Sequence, residues 1–201
     1  GVMQQLFSQK LRFKDDDGRD FPDWEEVRLE KVVCERSEIS SNDNFPIYSL
    51  TIQDGVTPKT DRYEREFLVT DTSNAYKLVK NDDFAYNPMN LRFGAIARYS
   101  GENSVRVSKY YNVFYCRDLF NSLFFEAYFK TESMISFYDK MSTGSLIEKK
   151  RVHFADFLKF KIPVPSVQEQ TKIANFLTTI DEKISQSQTY LETVKQYKQG
   201  L

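Results

Sequence analysis

Residues 163–177 read Pro163-Val164-Pro165-Ser166-Val167-Gln168-Glu169-Gln170-Thr171-Lys172-Ile173-Ala174-Asn175-Phe176-Leu177, and this stretch with the run that follows it decides the fold. The prolines favour extended backbone ahead of them. Ser166 with Glu169 three residues on is the Ser-x-x-Glu of a capping box, which places a helix start near Ser166. Beyond Ile173, the residues Leu177, Ile180, Ile184, Leu191 and Val194 fall on a 4-3 alternation that continues to Leu201, with Ser187 and Lys198 as polar interruptions. That is a heptad seam, and Phe176, Tyr190 and Tyr197 beside it widen the apolar stripe. A helix running from Ser166 to the end would be roughly 54 Å long at 1.5 Å per residue, more than the core of a domain this size covers. The stripe therefore calls for a helical partner, and the alternative is an amphipathic helix folded back on its own domain.

Upstream the period changes. Short β-rich or alternating runs at 47–52, 67–70, 76–79, 84–86, 92–98, 104–108 and 111–116 read as strands. Asp54-Gly55, Asn81-Asp82-Asp83, Asn87-Pro88 and Ser100-Gly101 are turns between them. From Asp118 onward Leu119, Leu123, Phe124, Ala127 and Tyr128 share a helical face, a second helix spans 134–141, and Gly144 ends it. Lys149-Lys150-Arg151 is a basic loop ahead of a short extended return to Pro163. The expected class is α+β: a strand-rich globular domain over 21–165, preceded by an entry segment over 1–20 and followed by a coiled-coil-forming helix over 166–201.

At 201 residues the chain can hold one compact domain and an elongated appendage. Its apolar runs are too short to span a bilayer, and the opening Gly1-Val2-Met3-Gln4-Gln5 has no secretory pattern, so a cytoplasmic, membrane-free protein is expected. Cys34 and Cys116 stand apart without a CxxC pair, and His153 beside Phe154 reads as a packing or surface residue, so no metal site is expected. Net charge is −1, against the strongly basic balance of many nucleic-acid binders, but its distribution is uneven. Acids gather at Asp15-Asp16-Asp17 and at Asp23, Glu25 and Glu26, whereas Arg92, Arg98, Arg106 and Lys109 lie where acids are few. The ending Lys195-Gln196-Tyr197-Lys198-Gln199-Gly200-Leu201 looks like a lead-in to the opening residues, which suggests one period of a longer parent in which a helix-plus-domain unit repeats.

The run Pro163 to Leu177, continued through Ile180-Asp181 to Ile184, closely resembles the conserved helix of type I restriction-modification specificity subunits: Pro-x-Pro, Glu-Gln, Lys-Ile-Ala, Phe-Leu and an Asp are all present. Residues 4–13 with Phe21-Pro22-Asp23-Trp24 resemble that family's exit from the preceding conserved helix. Asp83-Phe84, Arg92-Phe93-Gly94-Ala95-Ile96, Tyr111-Asn112-Val113-Phe114 and Ser142-Thr143-Gly144-Ser145 are similar to its target-recognition domain. The resemblance implies a non-catalytic reader of one half of a bipartite site in double-stranded DNA, which scaffolds the modification and restriction subunits. S-adenosylmethionine, ATP and magnesium would then sit on those partners, with no cofactor in this chain. It also implies an antiparallel pairing of the long helix with that of a second recognition domain or, in a homodimer, of a second copy.

Base edges are read by Arg, Lys, Asn or Gln, and phosphates by further cations. Lys59, Arg62, Tyr63 and Arg65 follow the Asp54-Gly55 turn, Asn90 and Arg92 follow Asn87-Pro88, and Lys149, Lys150 and Arg151 are candidate phosphate clamps. Each set can equally be a solvated surface; Asp61, Glu64 and Glu66 could neutralise the first. Tyr63 or Tyr99 could pack on sugar or base edges. Ile173, Leu177, Ile180, Ile184, Leu191 and Val194 are the helix-packing candidates. Two rival classes remain, a solitary DNA methyltransferase or nuclease and a coiled-coil assembly adaptor. Against the enzyme, Asn87-Pro88-Met89-Asn90 lacks the second proline and the aromatic of the amino-methyltransferase tetrapeptide. Glu148-Lys149-Lys150 has only the distant Pro22-Asp23 as a nuclease partner.

Overall fold

The computed structural model describes residues 1–40, 44–59 and 75–199. Two compact units emerge, one made of Gly1–Asp23 with Pro165–Leu201 and the other of Trp24–Val164.

The Trp24–Val164 unit is mixed and strand-rich. Strand β1 (Glu25–Arg28) leads into one turn of helix and β2 (Val33–Glu35); β3 (Tyr48–Thr51) and β4 (Gly55–Pro58) form a hairpin. Then follow β5 (Tyr76–Val79), β6 (Phe84–Tyr86), β7 (Ile96–Arg98), β8 (Val105–Ser108), β9 (Asn112–Cys116) and finally β10 (Lys161–Val164). A four-stranded antiparallel sheet in the order β2-β9-β6-β7 is its centre. The first and last strands close the unit by pairing Glu25 with Val164 through Arg28 with Lys161.

Aromatic side chains fill the core. Phe84 stacks on Phe114 at 5.2 Å, and Phe129, Phe157 and Tyr86 pack around them edge-on or tilted. Buried phenols find acceptors, Tyr138 donating to the Phe129 carbonyl and Tyr86 to that of Val152, as desolvated hydroxyls must. The helices Ser122–Phe129 and Glu132–Met141 are each started by a side-chain cap: Asn121 accepts from the Phe124 amide and Thr131 from that of Met134.

The structure departs from the sequence expectations in several places. Residues 92–98 do not form one strand: Leu91–Phe93 is a 3-10 turn, Gly94 adopts a left-handed φ of +90°, and pairing begins at Ile96. Leu119 precedes its helix and is exposed, as is Leu123, so the buried face is carried by Phe124, Phe125, Tyr128 and Phe129. The second helix ends at Met141 as expected but starts two residues earlier, at Glu132, and Ser142 rather than Gly144 is its C-cap. Strands β1, β2 and β4 were not expected, and the expected strand at 67–70 lies outside the described residues.

In the other unit a short N-terminal helix (Val2–Phe7) and an entry segment accompany the long helix Val167–Gln199. Ser166 makes its half of the capping box. Ser166 Oγ accepts the Glu169 amide, but the Glu169 carboxylate is fully buried and receives a fork from Arg12, Nε to Oε1 at 3.0 Å and Nη2 to Oε2 at 2.7 Å. Gln170, also buried, donates to the Pro165 carbonyl. Lys172 reaches Asp16 and the Lys14 carbonyl, and Phe176 meets Phe13 edge-on at 5.4 Å. Ile173, Ala174 and Leu177 are buried.

Past Ile180 the same helix stands open. Ile184 is 49% exposed, Leu191 56% and Tyr190 72%, while Val194 is half-buried. Ile180, Ile184 and Leu191 line a shallow groove with Lys183, Ser187 and Gln188. The Ser187 hydroxyl donates to the Lys183 carbonyl at 2.8 Å, so the polar group interrupting the seam is satisfied within its own helix. Among the described residues no helix is long and apolar enough to cross a membrane.

Candidate nucleic-acid interface

Three candidate groups from the sequence fall in different places. Arg62, Tyr63 and Arg65 lie outside the described residues. Lys59 is half-buried at the end of the β3–β4 hairpin; its amide donates to the Ile47 carbonyl, and Ile47 bridges to Arg106, whose guanidinium lies over the Tyr76 ring at 4.9 Å. Tyr99 is a packing residue: it is buried and its hydroxyl donates to the Asn103 carbonyl at 2.7 Å.

The turn that bears Asn90 and Arg92 and the loop that bears Lys149, Lys150 and Arg151, by contrast, are tied to each other by a backbone bond. After β6 the chain turns sharply because Asn87 folds on itself, its Oδ1 accepting the Met89 amide and its carbonyl the amides of Asn90 and Leu91. Leu91 is buried and anchors the turn, leaving Asn90 at the surface. The left-handed Gly94 ends it, where an added Cβ would come within 3.2 Å of Ile135 Cδ1. One residue back in the same turn, Pro88 offers its carbonyl to the Val152 amide at 3.0 Å.

That last bond fixes the basic loop. Thr143 and Arg151 exchange both backbone bonds, at 3.0 and 2.9 Å, pinching off residues 144–150. Gly144 sits so close to the returning chain that a Cβ would lie 2.8 Å from the Lys149 carbonyl oxygen and 2.9 Å from Lys150 Cα. No side chain fits there without opening the loop. Lys149 and Arg151 are exposed and Lys150 half-buried, and among the described residues no carboxylate is paired with any of the three.

Arg92 is placed differently from the free cation that the sequence suggested. Its Nη1 meets Asp139 Oδ1 at 3.3 Å and its guanidinium lies 4.4 Å from the centroid of the Phe93 ring. Nε is buried without a hydrogen-bond partner among the described residues. Leaving such a donor unpaired costs about 1–3 kcal/mol, so the arrangement is held by the carboxylate and the ring. The sequence reading missed Phe93. Placing 92–98 in a strand hid it, although Gly94 directly after it marks a turn that would put its ring outside.

Chemically this surface offers an amide, exposed cations and apolar groups, and among the described residues no cluster of His, Cys, Asp or Glu could hold a metal. Cys116 is shielded from water, which pushes its thiol up to about 12, and both cysteines are free.

Comparison with known proteins agrees in fold. No curated protein matches the chain. Among solved structures, the HsdS subunit from Thermoanaerobacter tengcongensis is 16% identical with a TM-score of 0.56, over 92% of this chain and 43% of that one. A second, titled for complex assembly and conformational transition of the type I R-M system, gives 16% and 0.56 over 92% and 45%. The S subunit of a type I restriction-modification system from M. genitalium gives 13% and 0.55 over 88% and 42%. This chain thus spans less than half the length of each. The model of the type I restriction modification DNA specificity domain matches residues 23–196. With that match covering both the strand-rich unit and most of the long helix, the chain belongs to the type I restriction-modification DNA specificity domain family.

Proposed function

We infer that this chain reads one half of a bipartite site in double-stranded DNA and holds that reader in register for modification and restriction subunits that carry the chemistry. The observation that carries the reading is the basic loop 143–151, hydrogen-bonded to the turn that bears Asn90, in a member of a DNA specificity family. Lys149, Lys150 and Arg151 suit phosphates, Asn90 suits the bidentate edge of adenine, and Lys59, Arg62, Tyr63 and Arg65 would extend the contact. Arg92 acts through Phe93 and Asp139.

The open seam Ile180–Ile184–Leu191–Val194 supports the scaffolding half of the reading. It fits a second helix, from another recognition domain or a second copy, laid against it as a spacer. S-adenosylmethionine, ATP and magnesium belong on the partner subunits in this scheme, and the assembly works on chromosomal DNA in the cytoplasm. The test is equilibrium binding of the assembled complex to duplex DNA over a salt series. Affinity should fall steeply and linearly on a log–log plot as counterions compete. Absence of duplex binding, with and without the modification subunits, would overturn the reading.

A further inference from the structure

Phe93 is out of place for its residue type. The chain has 17 phenylalanines, and among the described residues Phe93 alone is exposed, at 51%. It is also held firmly. Leu91 is buried beneath the turn, Gly94 closes it, and the Arg92 guanidinium, itself tied to Asp139, covers one face of the ring. Met89, in the same turn, is exposed as well.

Two kinds of macromolecule could cover an apolar group placed this way. Cores of protein interfaces are depleted in lysine, whereas protein–DNA interfaces are strongly positive. Residues 143–152 carry Lys149, Lys150 and Arg151 against the single acid Glu148, and the acid facing Phe93's turn, Asp139, is spent on Arg92. The charge favours DNA.

The mode of contact follows from the ring's surroundings. A wedge between base pairs needs both faces of the ring free, but Arg92 occupies one at 4.4 Å. What remains is the outer face and edge, the surface that packs on the C5-methyl of thymine in the major groove.

We propose that Phe93 is a specificity-determining residue that recognises a thymine methyl in the half-site read by this chain. The proposal rests on the DNA-reading function above and adds a base and a chemical group to it.

The experiment uses the full-length subunit assembled with its modification subunits and a duplex carrying the site found by mapping methylated adenines in cells with the intact system. Each thymine of the half-site is replaced in turn by uracil, which removes only the methyl. Wild-type complex should lose about fourfold in affinity at one position, the worth of one buried methyl group. Phe93→Ala should bind both duplexes equally, and Phe93→Leu should keep part of the preference. Indifference of the wild type to every thymine-to-uracil change overturns the proposal, as does an undiminished preference in Phe93→Ala. Failure of Phe93→Ala to assemble with the modification subunits also overturns it, marking this face as a protein-docking surface. If wild-type complex binds no duplex at all, the DNA-reading function itself fails.

Discussion

Glu169 shows how a motif that reads as sequence identity works as physical structure. Its carboxylate is fully buried and its charge is balanced by the Arg12 fork, which itself keeps a 23% exposed side chain. The Arg12 guanidinium is held above its ordinary value by that hydrogen bond to Glu169. Removing one partner of a buried pair leaves an uncompensated charge, so Arg12→Ala should destabilise the protein by about 3 kcal/mol, read as a lower midpoint in urea. The double change Arg12→Met with Glu169→Leu should recover most of that loss, because an apolar pair of similar volume has no charge to desolvate. Equal loss in single and double variants would show that the pair is incidental. Lys149 and Arg151 make the opposite case, as exposed charges that no carboxylate among the described residues pairs with, Arg151 Nε donating only to the Lys149 carbonyl. Lys149→Ala or Arg151→Ala should leave stability within about 0.5 kcal/mol. Each should lower the slope of log affinity against log salt by about one, on every DNA sequence alike.

At the level of elements, the loop 143–151 depends on Gly144. Gly144→Ala forces a Cβ against the Lys149 backbone and should open the Thr143–Arg151 pinch. Limited trypsinolysis after Lys149, Lys150 and Arg151 should quicken several-fold while the rest of the unit stays resistant; unchanged cleavage would mean that the loop is held by other contacts. The long helix was legible in the sequence because its signals are local: prolines ahead of it, Ser166 at its start, and a 4-3 repeat along it. Strands β1 and β2 were not. Glu25-Glu26-Val27-Arg28 has a charged edge composition and becomes a strand only by pairing with Lys161–Val164, more than a hundred residues away. The turn at Leu91–Phe93 was lost for a related reason: the β-rich composition over 92–98 is real, but Gly94 takes a left-handed backbone that breaks a regular strand. Asn90 and the basic triplet could be named from composition, whereas their neighbourhood depends on one hydrogen bond from Val152 to Pro88. The helix-packing residues divide into Ile173 and Leu177, buried, and Ile184 and Leu191, open to a partner.

For the whole molecule, the proposed scaffolding role places assembly on the open half of the helix. Ile184→Asp with Leu191→Asp should abolish association through the helix, seen as a lower mass in analytical ultracentrifugation. Both side chains are about half exposed, so thermal unfolding of the Trp24–Val164 unit should not change. Persistence of the larger species would move the interface elsewhere. In the proposed function the Trp24–Val164 unit decides half of a split DNA site. It is tested most directly by mapping methylated adenines in cells whose intact system carries this unit exchanged for that of another family member. One half of the methylated motif should change while the other half and the spacing between them persist; an unchanged motif would contradict the proposed function.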